Sequence, residues 1–194
     1  MSNAQERARN KISTFVTLLE KKGIRLLAVD FDETLISIHS GGCWKDSAEK
    51  LSQHVRPCVR DLMEEALQRN VNVCIVTYFT QPWIIREMLK LVFKRDVEKI
   101  YVQANTAEFR EKNKHQILGK EAHLAAVCTE LYNQKHVIIK PEEIILFDDD
   151  MDNIDTAIQF GHWAVAVKDD ISYLSFDDFS RMFRNSATKR KVSS

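Results

Sequence analysis

Residues 25–34 read Arg-Leu-Leu-Ala-Val-Asp-Phe-Asp-Glu-Thr, an apolar run that stops at two carboxylates, Asp30 and Asp32, and a hydroxyl, Thr34. Alternate residues leaving a strand point to the same side, so Asp30 and Asp32 flank one small volume. Buried carboxylates are unfavourable without a cation or a catalytic partner. A pair of them suits Mg²⁺, a hard cation that prefers oxygen ligands. A metal-neutralised carboxylate can also attack phosphorus and form an aspartyl phosphate. Three further signals follow along the chain. Thr77 closes the apolar run 71–76 and can hold a phosphoryl oxygen. Lys120 falls at the start of a predicted helix, where its ammonium and nearby backbone N–H groups face an anion. Lys112 and Lys114 are its rivals for that role. Asp148 and Asp149 follow a second buried run, 144–147.

These residues need elements that bring their tips together. Apolar runs at 25–30, 71–76, 99–102, 143–147 and 162–167 read as strands. Helical patterns fall between them, at 3–22, 57–69, 82–94, 120–134 and 152–159, with Pro57 and Pro82 opening two of them. Residues 35–55, with Gly41, Gly42 and Trp44, read as a loop or flap, and 103–119 as a polar connection. Strands alternating with helices predict an α/β doubly wound parallel sheet with helices on both faces. In such sheets ligands sit at the carboxyl ends of the strands, where the acids fall. The expected division is an N-terminal helix over 1–23 packed on the core, one domain over 24–180 and a flexible basic tail over 181–194.

The bulk properties narrow the classes. The 194 residues are enough for one well-buried domain, and the composition is ordinary at 44% hydrophobic and 29% charged. Twenty-eight basic residues balance twenty-eight acidic ones, so charge points to neither nucleic acid nor a membrane. Cys43, Cys58, Cys74 and Cys128 lack the spacing of a zinc site or a disulfide framework, which fits a reducing cytoplasm. The six histidines have no metal-like spacing and read as surface or packing residues.

The ordered set resembles the haloacid dehalogenase-like (HAD) superfamily of phosphotransferases. The match lies in Asp30-x-Asp32-x-Thr34 after an apolar strand, Thr77 ending a strand, Lys120 at a helix start, and Asp148-Asp149 after a strand. It covers about residues 24–168. The resemblance implies a phosphatase with an aspartyl-phosphate intermediate. Asp30 would be the nucleophile, and Asp32 the acid that protonates the leaving group and then the base that activates water. Mg²⁺ would be held by the carboxylates of Asp30 and Asp149 and the backbone carbonyl of Asp32. Thr34, Thr77 and Lys120 would contact the substrate, and Thr77 and Lys120 would grip the phosphoryl group. Asp148 would orient Lys120 or a metal-bound water, and Asn153 would stand in an outer position.

Two features set the chain apart within that family. Glu33 stands where many members that act on small molecules carry Gly. The 42 residues between Thr34 and Thr77, and the 42 between Thr77 and Lys120, leave no room for a large cap domain. This resembles the minimal-cap, magnesium-dependent phosphatase-1-like members. An open site implies a phosphorylated small molecule or a phosphoprotein as substrate, or closure by a second copy of the chain. The alternatives are a catalytically inactive HAD-like interaction module and a receiver-type signalling domain that accepts a phosphoryl group.

Overall fold

The computed structural model describes residues 3–93, 95–114 and 118–189. His115 and the basic tail beyond Lys189 lie outside the described residues. Five parallel strands form one sheet in the order β3-β2-β1-β4-β5. They are β1 (Leu26–Val29), β2 (Asn72–Thr77), β3 (Ile100–Ala104), β4 (Ile144–Asp148) and β5 (Trp163–Ala166). The strands are apolar on both sides because each pleat faces a different layer of helices. Leu27, Val29, Ile75 and Phe147 face one layer, whereas Leu26, Ala28, Cys74, Val76 and Leu146 face the other.

The first layer contains α1 (Asn3–Lys21), α3 (Pro57–Gln68), α4 (Pro82–Val92) and α8 (Ser175–Lys189), with the short α2 (Ala48–Ser52) against α4. Phe15 of α1 anchors it, with ring contacts to Phe147 at 6.1 Å, Phe176 at 5.7 Å and Phe183 at 5.5 Å. The second layer contains α6 (Glu121–Lys135) and α7 (Met151–Gln159), which bury Leu124, Val127, Leu131 and Ala157. Short α5 (Ala107–Lys112) completes the set. This is the doubly wound α/β class expected from the alternation of runs. Among the described residues no inserted element is large enough to form a separate cap. None of the described helices is long and apolar enough to cross a membrane.

Three elements differ from the sequence reading. α2 lies inside the stretch read as a loop, held by the Ser47 side chain, which accepts from Lys50 N. α5 lies inside the polar connection, capped by Thr106, whose side chain accepts from Phe109 N. Residues 181–189, expected in the flexible tail, continue α8, with Phe183 buried on Phe15.

His162, which precedes β5 and is buried, ties that strand to the start of α6 and to the segment before β4. Its Nδ1 lies 2.9 Å from the Pro141 carbonyl and its Nε2 lies 2.9 Å from Glu121 Oε2. Both neighbours are acceptors, so only the imidazolium satisfies both bonds. Burial pushes its pKa down, but the Glu121 carboxylate and the Pro141 carbonyl outweigh burial and leave it raised. The contribution to stability is therefore full below the unfolded histidine value, about 6.5, and is lost as pH rises through the folded value. We expect His162→Gln to flatten that part of the stability profile in urea unfolding followed from acid to mildly alkaline pH. An unchanged slope would show that the pair does not titrate in this window.

Candidate active site

β1 delivers the first acid. Asp30 continues the ladder beyond the strand, its N–H donating to the Phe147 carbonyl at 2.8 Å. The chain then winds into one wide turn over residues 31–35, in which Ile36 N donates to Phe31 O at 2.9 Å. Asp32 is extended there, and Glu33 takes a left-handed φ of 52°. That conformation is unusual for a side chain other than glycine, and such strain gathers at functional sites. Arg56, buried before α3, holds the turn from behind: Nη2 donates to the Glu33 carbonyl at 3.2 Å and Nη1 to the Asp169 carbonyl at 2.7 Å.

The four segments converge at the carboxyl edge of the sheet. Lys120, 2% exposed, donates from Nζ to Asp30 Oδ1 at 2.6 Å. Oxygens of Asp30, Asp148 and Asp149 all lie within 4.8 Å of one another. Thr34 is buried and donates from Oγ1 to Asp149 Oδ1 at 3.0 Å. Asn153 of α7 donates from Nδ2 to both oxygens of Asp148, at 3.0 and 3.2 Å. Asp150 caps α7, its side chain accepting from Asp152 N. Thr77 is 1% exposed, and its Oγ1 accepts from Phe79 N at 3.0 Å, which leaves the hydroxyl proton to donate.

The structure thus brings together Asp30, Thr34, Thr77, Lys120, Asp148, Asp149 and Asn153. It sets Lys114 apart, exposed and paired with Glu111 at 2.7 Å. The carboxylate of Asp32 stands outside the acidic trio and is bonded instead to Ser40. Asp148, expected in an orienting role, lies within the trio itself.

The electrostatics follow from crowding acids in a buried place. Burial raises the Asp30 pKa from 3.8 to about 7; Lys120 opposes the rise, and Asp148 and Asp149 add to it. Burial also raises Asp148, against the pull of Lys120 and Asn153. Lys120 is disfavoured by burial, yet the charges of Asp30 and Asp148 outweigh this and raise its pKa. The centre holds more negative charge than one ammonium can balance. Three carboxylate oxygens at this separation are a hard, all-oxygen donor set, which fits Mg²⁺.

Several neighbours had no signal in the linear pattern. Tyr78 places its ring 4.0 Å from Lys120 Nζ and donates its hydroxyl to the Gly119 carbonyl at 2.7 Å. His123, one turn beyond Lys120, packs on Phe109 at 4.5 Å and Tyr78 at 5.4 Å. Neither of its ring nitrogens makes a hydrogen bond of good geometry, and the nearby Thr77 backbone only partly opposes the fall in its pKa. Burial and the Lys120 charge lower its pKa from 6.5 to about 3, so Lys120 is the cation of this cluster. Trp44 packs on the main core and edge-on to His54 at 6.1 Å, whereas Trp83 is 58% exposed.

Fold and site together define an α/β protein with a carboxylate-lined centre at the edge of a parallel sheet. No protein-family model matches the sequence, and no curated protein matches it. Among solved structures the chain is similar to the N-terminal part of a Bacteroides fragilis protein that contains a phosphatase domain, complexed with Mg. The TM-score is 0.53 at 11% identity, over 84% of this chain and 42% of that one. This chain therefore spans less than half the length of that structure. A hypothetical protein from Xanthomonas campestris aligns over 91% of this chain and 93% of its own, at 13% identity and a TM-score of 0.44. At these identities the first likeness is one of fold.

Proposed function

We propose that this protein is a Mg²⁺-dependent phosphomonoester hydrolase of the haloacid dehalogenase-like type, working through an aspartyl phosphate on Asp30. The observation that carries this reading is the setting of Asp30. It is a buried carboxylate at a strand tip, with Lys120 on one oxygen and Asp148 and Asp149 beside it. The fold likeness to a phosphatase domain complexed with Mg supports the same reading.

Asp30, Asp148 and Asp149 would hold the metal, with the Asp32 carbonyl as the further ligand that the family resemblance implies. Mg²⁺ there supplies charge neutralisation for the acids and for the phosphoryl oxygens. In the first step an Asp30 carboxylate oxygen bonds to phosphorus as the bond to the alcohol oxygen breaks. The departing oxygen takes its proton from Asp32. Lys120 and the Thr77 hydroxyl bind phosphoryl oxygens, where charge is spread during transfer. In the second step Asp32 takes a proton from water as the water oxygen bonds to phosphorus. The phosphorus–Asp30 bond breaks, releasing phosphate and restoring the carboxylate. The uncapped edge admits either a small phosphomonoester or a phosphorylated side chain on a protein.

Turnover of p-nitrophenyl phosphate with Mg²⁺ and its loss with EDTA test the class of reaction. Beryllium fluoride should trap on Asp30, and density on another residue would reassign the nucleophile. Asp32→Asn should keep Mg²⁺ binding by calorimetry but lose turnover by about 10²-fold or more, the usual range for a general acid–base group. A variant that turns over normally would remove Asp32 from the mechanism.

A further inference from the structure

The loop between the Asp32 turn and α2 carries a contact that the reaction above does not use. Ser40 donates to Asp32 twice, from its backbone N–H to Oδ1 at 3.2 Å and from its hydroxyl to Oδ2 at 2.8 Å. His39 stands 3.8 Å from Asp32 Oδ2 and also from Glu33 Oε2, beyond hydrogen-bond length. The loop is itself fastened. Gly42 N donates to Ser40 Oγ at 3.3 Å. The Gly42 carbonyl accepts from Thr80 N at 2.9 Å and Thr80 Oγ1 at 2.8 Å. Trp44 N donates to Gln81 Oε1 at 2.5 Å. Gly41 and Gly42 have φ values of 70° and 83°, the left-handed region that favours glycine. Ser40 is thus braced against the segment that follows Thr77.

We propose that Ser40 is a positioning residue for proton transfer by Asp32, an inference that rests on the acid–base role proposed above. A carboxyl group rotates easily about its Cβ–Cγ bond, where the torsional preference is broad. Donors on both oxygens fix its plane, and each oxygen keeps a second lone pair for the proton that moves. The Ser40 hydroxyl both donates and accepts, so its bond survives when Asp32 changes protonation state. The backbone N–H can only donate. Ser40 neither gains nor loses a proton: the proton passes from Asp32 to the leaving oxygen as the phosphorus–oxygen bond breaks.

An acid matters most when the leaving group is poor, and this separates positioning from mere support of the loop. The test compares kcat/KM for benzyl phosphate and p-nitrophenyl phosphate in wild type, Ser40→Ala and Ser40→Thr. In Ser40→Ala the benzyl ester should slow about tenfold or more and the nitrophenyl ester by less than about threefold, because nitrophenolate departs with little help from an acid. Ser40→Thr, which keeps the hydroxyl, should restore the wild-type ratio. A ratio unchanged in a folded Ser40→Ala overturns the proposal. If the alanine variant does not melt like wild type, Ser40→Cys repeats the comparison with a weak donor of similar size. A wild-type protein inert towards both esters would instead sink the phosphatase reading itself.

Discussion

Asp30→Asn should abolish turnover, by at least about 10⁴-fold for loss of a covalent nucleophile, and should raise the melting temperature of protein stripped of divalent cation. The two effects share one cause. Burial and the neighbouring acids hold the Asp30 pKa at about 7 instead of 3.8, so its ionised form strains the fold. An acid with a raised folded pKa withdraws stability as pH rises from its unfolded value through its folded one. The amide does not ionise, and it keeps an oxygen for Lys120 Nζ. Its advantage should therefore be small near the unfolded carboxyl value and grow until pH passes about 7. Melting curves in EDTA across that range measure it, and added Mg²⁺ should raise wild type more than the variant. A lower melting temperature for Asp30→Asn at alkaline pH would mean that the ion pair with Lys120 outweighs the repulsion.

Lys120→Met should act in the opposite direction. Lys120 and Asp30 are 2% and 5% exposed, and their bond spans 2.6 Å. Removing one member of a buried pair leaves an uncompensated charge, which costs about 3–5 kcal/mol. Here the methionine would face Asp30 and Asp148 with no ammonium between them. Urea unfolding in EDTA should show that loss, and Mg²⁺ should recover part of it by balancing the same carboxylates. Turnover should fall by about 10²–10³-fold, as for loss of one group that stabilises developing charge. A variant as stable as wild type without metal would show that Lys120 does not balance the acids.

Much of this centre is legible in the sequence. An apolar run ending in Asp30-x-Asp32-x-Thr34, and another ending in Asp148-Asp149, mark strand tips, and parallel strands send such tips to one edge. Thr77 follows from the same logic. α8 also carries a sequence signal: Phe176, Phe179 and Phe183 recur at helical spacing and close on Phe15. The short helices α2 and α5 carry little periodicity, and their caps, Ser47 and Thr106, look like ordinary loop residues.

The local pattern of the chain determined the strands, their order of chemistry and the acids at their tips, because period and burial are properties of neighbours in sequence. Only the tertiary structure decided between Lys120 and Lys114, placed Tyr78 beneath the ammonium, set Arg56 behind Glu33 and gave Asp32 to Ser40. Most of those choices join residues far apart in the chain, and all depend on where loops and helix ends come to rest. Which lysine reaches a buried carboxylate is set by the packing of α6 on the sheet, and no short stretch of sequence encodes that.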